Sequence, residues 1–325
     1  MLPLTDMLIL TLLSGVISLG LVAPIERLCC LFLIVDHPSE RRLHSQPVTR
    51  AGGVIIVLTL VISLTIIKLT HADLLDSSFS YHNFLLLSSV VVLLGLIDDR
   101  FELEWKTKLF FQILICLFVC LHPSFIGIST VNVFERFNLF FFYLVLMNAI
   151  NLIDGLNGLC IFISTISLLG LLSLSHSELF GNTGLMIVIP LFIGALLGIA
   201  RSNFKSPRIF LGDSGSMLIG FSLTTFFILT AQSGNFGTKD QYIIYILIFG
   251  LPLIELISTC IRRIAYSRGV GRGIVKSLLS IVVADTNHLH HQLLAKNYSL
   301  PKTLSILCLL HCICIIPIFI FYFIH

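Results

Sequence analysis

Residues 148–159 read Asn148-Ala149-Ile150-Asn151-Leu152-Ile153-Asp154-Gly155-Leu156-Asn157-Gly158-Leu159, and they lie between apolar runs at 137–147 and from Cys160 onward. Asn148, Asn151 and Asp154 recur every third residue, which at 3.6 residues per turn sets them along one helix face. Gly155 and Gly158 then let the chain turn and bring backbone N–H groups near a ligand. An isolated Asp-Gly reads as an ordinary helix end. A carboxylate and two amides at the edge of lipid-compatible sequence are costly there, and such groups are usually functional. The stretch therefore reads as half of an active site.

The chain around it is not that of a soluble domain. Of 325 residues 56% are hydrophobic and 11% charged, with mean hydropathy +1.01, against about 25% charged in soluble proteins. Separate apolar runs imply an all-α, polytopic integral membrane protein. Ten spans are expected, near 4–26, 52–70, 82–97, 107–122, 138–153, 157–175, 184–200, 215–232, 241–260 and 303–324. The first has almost no basic residues before it and reads as a span, not a cleaved leader. Alternate loops, with their span edges, carry seventeen of the 20 Lys and Arg, a positive-inside bias that makes those loops cytoplasmic. Both termini then face away from the cytoplasm. The nine cysteines include no C-x-x-C pair and read as small hydrophobes in helices.

Every unusual polar cluster falls in a cytoplasmic loop. The first loop holds Asp36-His37-Pro38, Arg41-Arg42-Leu43-His44, Pro47, Arg50 and Gly52-Gly53. It reads either as a basic anchor at the headgroups or as cations and a glycine pair that accept phosphate oxygens. Asp98-Asp99-Arg100 follows the third span; adjacent carboxylates repel, so a divalent metal or Lys106 and Lys108 must compensate them. Gly212-Asp213-Ser214-Gly215-Ser216 opens the eighth span, suiting a helix cap and also a metal-bound phosphate beside helix N-terminal amides. His288-Leu289-His290-His291 suggests metal or phosphate contact. Zinc is the competitor, but no matched Cys or Glu spacing accompanies the histidines, and the neighbouring carboxylates favour Mg²⁺ or Mn²⁺.

In this order, Arg42-x-His44…Pro47…Gly52-Gly53, Asp98-Asp99, Asn148-x-x-Asn151-x-x-Asp154-Gly155, Gly212-Asp213-x-Gly215-Ser216 and His288-x-His290-His291, the chain resembles the polyprenyl-phosphate N-acetylhexosamine-1-phosphate transferases. These include the phospho-MurNAc-pentapeptide transferase and the enzymes that start O-antigen, enterobacterial common antigen and teichoic acid synthesis. The first and last motifs look more like the bacterial GlcNAc-1-phosphate branch. Departures are Asp285-Thr286, where the family often has Asp-Arg, and Asn157 at the second position of the Asp-Gly-x-Asp-Gly variant.

The resemblance implies a single transmembrane domain whose lipid-phosphate oxygen acceptor attacks the β-phosphorus of a UDP-sugar at the cytoplasmic face of the inner (plasma) membrane. Undecaprenyl phosphate, UDP-N-acetylhexosamine and the bilayer are the implied partners, with Mg²⁺ as cofactor (Mn²⁺ also fits) and no nucleic acid. A homodimer is compatible with the family. Implied metal ligands are Asp213, Asp99 and Asn151; implied catalytic carboxylates are Asp98, Asp99 and Asp154. Asp98 would deprotonate or orient the acceptor phosphate, with a covalent phospho-Asp route as the alternative. Arg42, His44, Lys108, Asn148, Phe210, His288, His290 and His291 would bind substrate, with Phe210 on uracil. The competing class is a transporter, whose sites usually lie near the bilayer midplane. Glu255 is the main charged residue near mid-span and suits a structural partner for a nearby base.

Overall fold

A computed structural model describes residues 2–36, 47–75, 79–128, 132–175, 182–204, 207–234, 237–270 and 288–324. Arg42 and His44, and the Asp285-Thr286 departure, lie outside the described residues. The architecture is helical, as expected: α1 (Leu4–Leu31), α2 (Gly52–Thr70), α3 (Tyr81–Phe101), α4 (Trp105–Leu121), α5 (Val133–Ile153), α6 (Leu159–Ser175), α7 (Thr183–Asn203) and α8 (Gly212–Ser233). After these come α9 (Thr238–Ile248), α10 (Gly250–Gly269), the short α11 (Leu289–Ala295) and α12 (Leu300–Ile324).

Among the described residues, six helices are long and apolar enough to cross a membrane, or seven if the bent pair α9–α10 is one span. The ten expected spans each fall on a helix or on that pair, but α4 and α6 have only 17 residues each. The expected break at 154–156 is real. Asn132 starts α5 with a capping box, its side chain accepting from Glu135 N at 2.9 Å while Glu135 accepts from Asn132 N at 2.9 Å. The helix ends at Asp154, and Gly158 takes a left-handed φ of +83° before α6, a geometry that favours glycine.

Helix α8 is the axis of the bundle. Every residue from Ser214 to Ala231 is buried, and α3 and α5 flank it. The flanking helices approach at small residues. A Cβ on Gly220 would stand 2.6 Å from Met147 Cα of α5, and one on Gly95 of α3 would run into the Ser214 backbone. Tyr143 of α5 is fully buried and its hydroxyl bonds Thr225 of α8 at 2.9 Å. Elsewhere α1 lies along α7, where Ser18 Oγ donates to Ala195 O at 2.7 Å. Large apolar side chains such as Leu12, Val16, Leu93, Leu121 and Leu309 remain exposed on the outer faces, as lipid contact requires.

A three-stranded sheet closes one end of the bundle: β1 (Val35–Asp36), β2 (Val48–Arg50) and β3 (Ile209–Phe210). Strand β2 pairs antiparallel with β1 and parallel with β3. The sheet thereby joins the first polar loop to the segment that feeds α8. Helix α3 runs four residues beyond its expected span, so Asp98 and Asp99 sit in a helical last turn and not in a loop. Glu102 then adopts φ 49°, ψ 64°, a left-handed turn rare for a residue with a side chain, and the chain reverses into α4.

Candidate active site

The carboxylates gather where α3 ends, α4 begins, α5 ends and α8 begins. Asp98 and Asp99 are 6% and 5% exposed. Asp98 accepts from Leu103 N at 2.9 Å and from Lys108 Nζ at 2.9 Å, so the tight α3–α4 turn and the first turn of α4 are both fixed on it. The same Lys108 Nζ is 2.8 Å from Asp213 Oδ1. Asn151 Nδ2 donates to Asp213 Oδ1 and to Ser216 Oγ, the latter at 2.9 Å. Three sequence motifs thus meet on Asp213.

Asp99 has a different task. Its two oxygens accept from the backbone N–H groups of Asp213 and Ser214, each at 3.0 Å. The carboxylate of α3 therefore caps α8 and meets the positive end of its dipole. The expectation that these N-terminal amides receive phosphate gives way, because both already serve Asp99. Gly212, at φ +67°, permits the approach: a Cβ there would lie 2.5 Å from Asp99 Oδ2. Asn148 also has protein partners, donating to Gln112 Oε1 at 3.1 Å and to Leu144 O at 2.7 Å. Phe210 lies on β3, half-buried, opposite Arg50.

Among the described residues, the carboxylates of the cluster outnumber its cations. Burial and then the neighbouring Asp213 push Asp98 up to about 6, and the same two causes, in that order, push Asp99 up to about 7. Asp154, half-buried at the end of α5, is raised well above its usual range by burial and then by Asp213 and Asp99. Among the described residues the cations facing them are Lys108 and Arg50, and Arg50 divides itself between Asp36 at 2.6 Å and Asp99 at 3.8 Å. The sequence offered Arg50 only as one of the first loop's cations; its register opposite Phe210 is visible only once β2 and β3 pair.

Carboxylate and amide oxygens in excess of local positive charge are the donor set of a hard divalent cation. Among the described residues no three His, Cys, Asp or Glu side chains form a ready-made metal cage. Mg²⁺ does not require one, since it binds through one or two carboxylates plus water and substrate phosphates. Asp213 and the carbonyl oxygen of Asn151 fit that mode. The oxygens of Asp99 are engaged by α8 and would act on a cation through their charge.

The histidines join the cluster from the other side. His288 Nδ1 lies 2.8 Å from Glu255 Oε1, and Glu255 Oε2 accepts from Leu289 N at 3.1 Å, holding the start of α11. Glu255 does have its nearby base, Arg262 at 3.4 Å, but its larger part is to place the His motif, which the sequence did not reveal. His290 is 2% exposed, and its Nε2 would be 2.6 Å from a Cβ on Gly155. The Asp-Gly turn and the His motif are therefore in contact. The rings of His290 and His291 are 4.3 Å apart, yet the nitrogens named here face Glu255 and Gly155, an arrangement unlike a convergent zinc site.

Burial, then His291 and His288, hold the His290 imidazole down to about 3. Its folded pKa is below the unfolded 6.5, so unfolding takes up a proton as pH falls through 6.5. His290 therefore costs stability progressively between pH 6.5 and 3, at up to about 1.4 kcal/mol per pH unit. Thermal melting in detergent at pH 7 and pH 5 should show the wild type losing more stability on acidification than His290→Gln. Equal losses would mean that His290 titrates normally in the fold.

Beside the cluster a groove of about 380 Å³ opens between α4, α5 and α10. Lys108, Gln112, Asn148, Asn151 and Arg263 give it a polar lining, and Leu109, Leu144, Leu152 and Leu256 its apolar walls. A molecule with an anionic head and a hydrocarbon tail matches that mixed, partly cationic lining.

Residues 81–231 match the family described as glycosyl transferase family 4, a segment that holds Asp98, Lys108, Asn151, Asp154 and Asp213. The chain is 28% identical over 328 residues to the decaprenyl-phosphate N-acetylglucosaminephosphotransferase of Mycobacterium tuberculosis, covering 91% of this chain and 78% of that protein. It is 28% identical over 278 residues to the undecaprenyl-phosphate alpha-N-acetylglucosaminyl 1-phosphate transferase of Thermotoga maritima, covering 84% and 77%. The similarly named protein of Escherichia coli K12 is 24% identical over 282 residues, covering 82% and 70%. The motif order, the carboxylate cluster they build and these relatives agree: residues 81–231 carry a glycosyl transferase family 4 domain.

Proposed function

We propose that the protein transfers GlcNAc-1-phosphate from UDP-GlcNAc to undecaprenyl phosphate, yielding undecaprenyl-diphosphate-GlcNAc and UMP. The observation that carries this reading is the meeting of Asp98, Asp99, Asp154 and Asp213 with Lys108 and Asn151 beside a groove with both cationic and apolar lining. The names of the relatives support the acceptor class and the GlcNAc branch. The proposed setting is the inner (plasma) membrane, with ten spans and the site on the cytoplasmic side, in keeping with the distribution of Lys and Arg.

An acceptor phosphate oxygen attacks the β-phosphorus of the donor, the bridging P–O bond breaks, and UMP leaves with that electron pair. Lys108 and Asp98 hold the acceptor phosphate at the groove, and Asp98 orients or removes any remaining proton. Glu255 holds His288, and through it the His motif, against the donor diphosphate; Phe210 stacks on uracil. Asp213 and Asn151 would hold Mg²⁺, which supplies charge neutralisation for the diphosphate. Most phosphoryl-transfer catalysis is positioning plus electrostatics, so this set suffices.

The test is UMP release by purified protein given Mg²⁺, undecaprenyl phosphate and a panel of UDP-N-acetyl sugars. UMP should form with UDP-GlcNAc, and only when acceptor and metal are both present. Turnover confined to UDP-MurNAc-pentapeptide would move the protein to the peptidoglycan branch. No UMP with any donor, together with no binding of lipid phosphate, would return it to the transporter class.

A further inference from the structure

Helices α9 and α10 form one apolar pair bent by 88°. The bend falls at Phe249-Gly250, and Pro252 lies four residues after Ile248. In a continuous helix the carbonyl of Ile248 would accept from the N–H of residue 252, but proline has none. An unpaired carbonyl inside a membrane bundle is costly. Here Ser167 of α6 answers it, its Oγ donating to Ile248 O at 2.9 Å. His311 of α12, fully buried, lies with Nε2 2.9 Å from the same Ser167 Oγ. A serine hydroxyl has one proton, and Ile248 receives it, so His311 must be the donor to Ser167 through a protonated Nε2. The chain His311→Ser167→Ile248 therefore runs one way, from α12 through α6 onto the bend.

Beyond the bend, α10 bears Glu255, which holds His288 and the start of α11. It also supplies Leu256, Thr259 and Arg263 to the groove wall. The direction that α10 takes decides where both lie. The aspartate cluster rests on α3, α4, α5 and α8 and does not depend on it.

We propose that Ser167 and His311 are positioning residues of the active site, which fix the α9–α10 bend and so aim the His motif at the donor. The proposal rests on the transferase reading for its kinetic readout but not for its structural one. Steady-state kinetics of the full-length enzyme should show Ser167→Ala and His311→Phe raising KM for the UDP-sugar about tenfold, with kcat within about threefold of wild type, because the lost hydrogen bond acts on binding geometry and not on the carboxylates. Ser167→Thr, which keeps the hydroxyl, and His311→Gln, which keeps an N–H donor, should restore KM. Amide hydrogen exchange between Phe249 and Leu256 should quicken at least about fivefold in Ser167→Ala and return to the wild-type rate in Ser167→Thr. A loss of activity that merely follows the amount of folded protein, with KM unchanged, would overturn the proposal, as would exchange unaltered in both variants. If the wild type forms no UMP, the transferase reading fails while the exchange experiment still decides whether the pair holds the bend.

Discussion

Asp213→Asn is expected to lower UMP release by roughly a thousandfold, the upper range for removing one preorganised electrostatic contact at a reacting centre. The reason lies in how much converges on that carboxylate. Lys108 and Asn151 both bond its Oδ1, while its charge helps push Asp98, Asp99 and Asp154 upward. Asparagine retains the shape and removes the charge. Lys108 would then be held by Asp98 alone, and the cluster would lose its best hard ligand for a divalent cation. Because the variant is nearly isosteric and Asp99 still caps α8 through backbone amides, its melting temperature in detergent should stay within a few degrees of wild type. The measurement is single-turnover UMP release with Mg²⁺ varied. A variant active within about tenfold of wild type would remove Asp213 from the centre of the mechanism.

The largest effect on folding should come from Gly95→Leu. Gly95 is one turn before Asp98 and Asp99 on α3, and it faces the Ser214 backbone with no room for a Cβ. A leucine there must push α3 away from α8. Overpacking of a core helix contact typically costs about 1–3 kcal/mol and occasionally more, and this site belongs at the upper end because backbone, not a flexible side chain, stands in the way. The displacement would also draw Asp99 off the amides of Asp213 and Ser214, leaving the first turn of a wholly buried helix uncapped. Thermal unfolding and yield after detergent extraction should both fall sharply. Gly20→Leu on α1, where nothing stands within 4 Å, is the matched comparison and should leave both unchanged. Similar losses in the two variants would mean that leucine at any helical glycine of this chain disturbs insertion.

Much of this was legible in the sequence for a physical reason. Polar groups beside lipid-compatible runs are expensive, so Asp98-Asp99, Asn151, Asp154 and Asp213 announce themselves, and helical spacing correctly puts Asn148 and Asn151 on one face of α5. The break after Ile153 was visible because Gly155 and Gly158 interrupt apolar sequence. What could not be read is pairing. Nothing in Asp98-Asp99 says that one carboxylate takes Lys108 while its neighbour turns to cap a helix more than a hundred residues later. Asn148, expected to touch substrate, lines the groove and also ties α5 to Gln112 of α4. Arg50 and Glu255 passed as loop and structural charges because their importance comes from β2–β3 register and from the α10–α11 contact. The span at 241–260 looked continuous by hydropathy, which measures apolarity and is blind to direction; Gly250 and Pro252 were the signal of the bend.

The central position of α8 bears on how the protein is made. Most of what packs against it, α2, α3, α5, α6, α7 and β2, precedes it in the chain, with Tyr245 and Phe249 added later against Phe227, and synthesis is vectorial. When Gly212–Ser233 leaves the ribosome, most of its socket has already been translated, with Asp98, Asp99, Asp154 and Lys108 around the rim. Arrival of that one segment completes the carboxylate cluster. A nascent chain is therefore catalytically silent until α8 is in place, and quality control that senses an unfilled socket would also be sensing the lack of an active site.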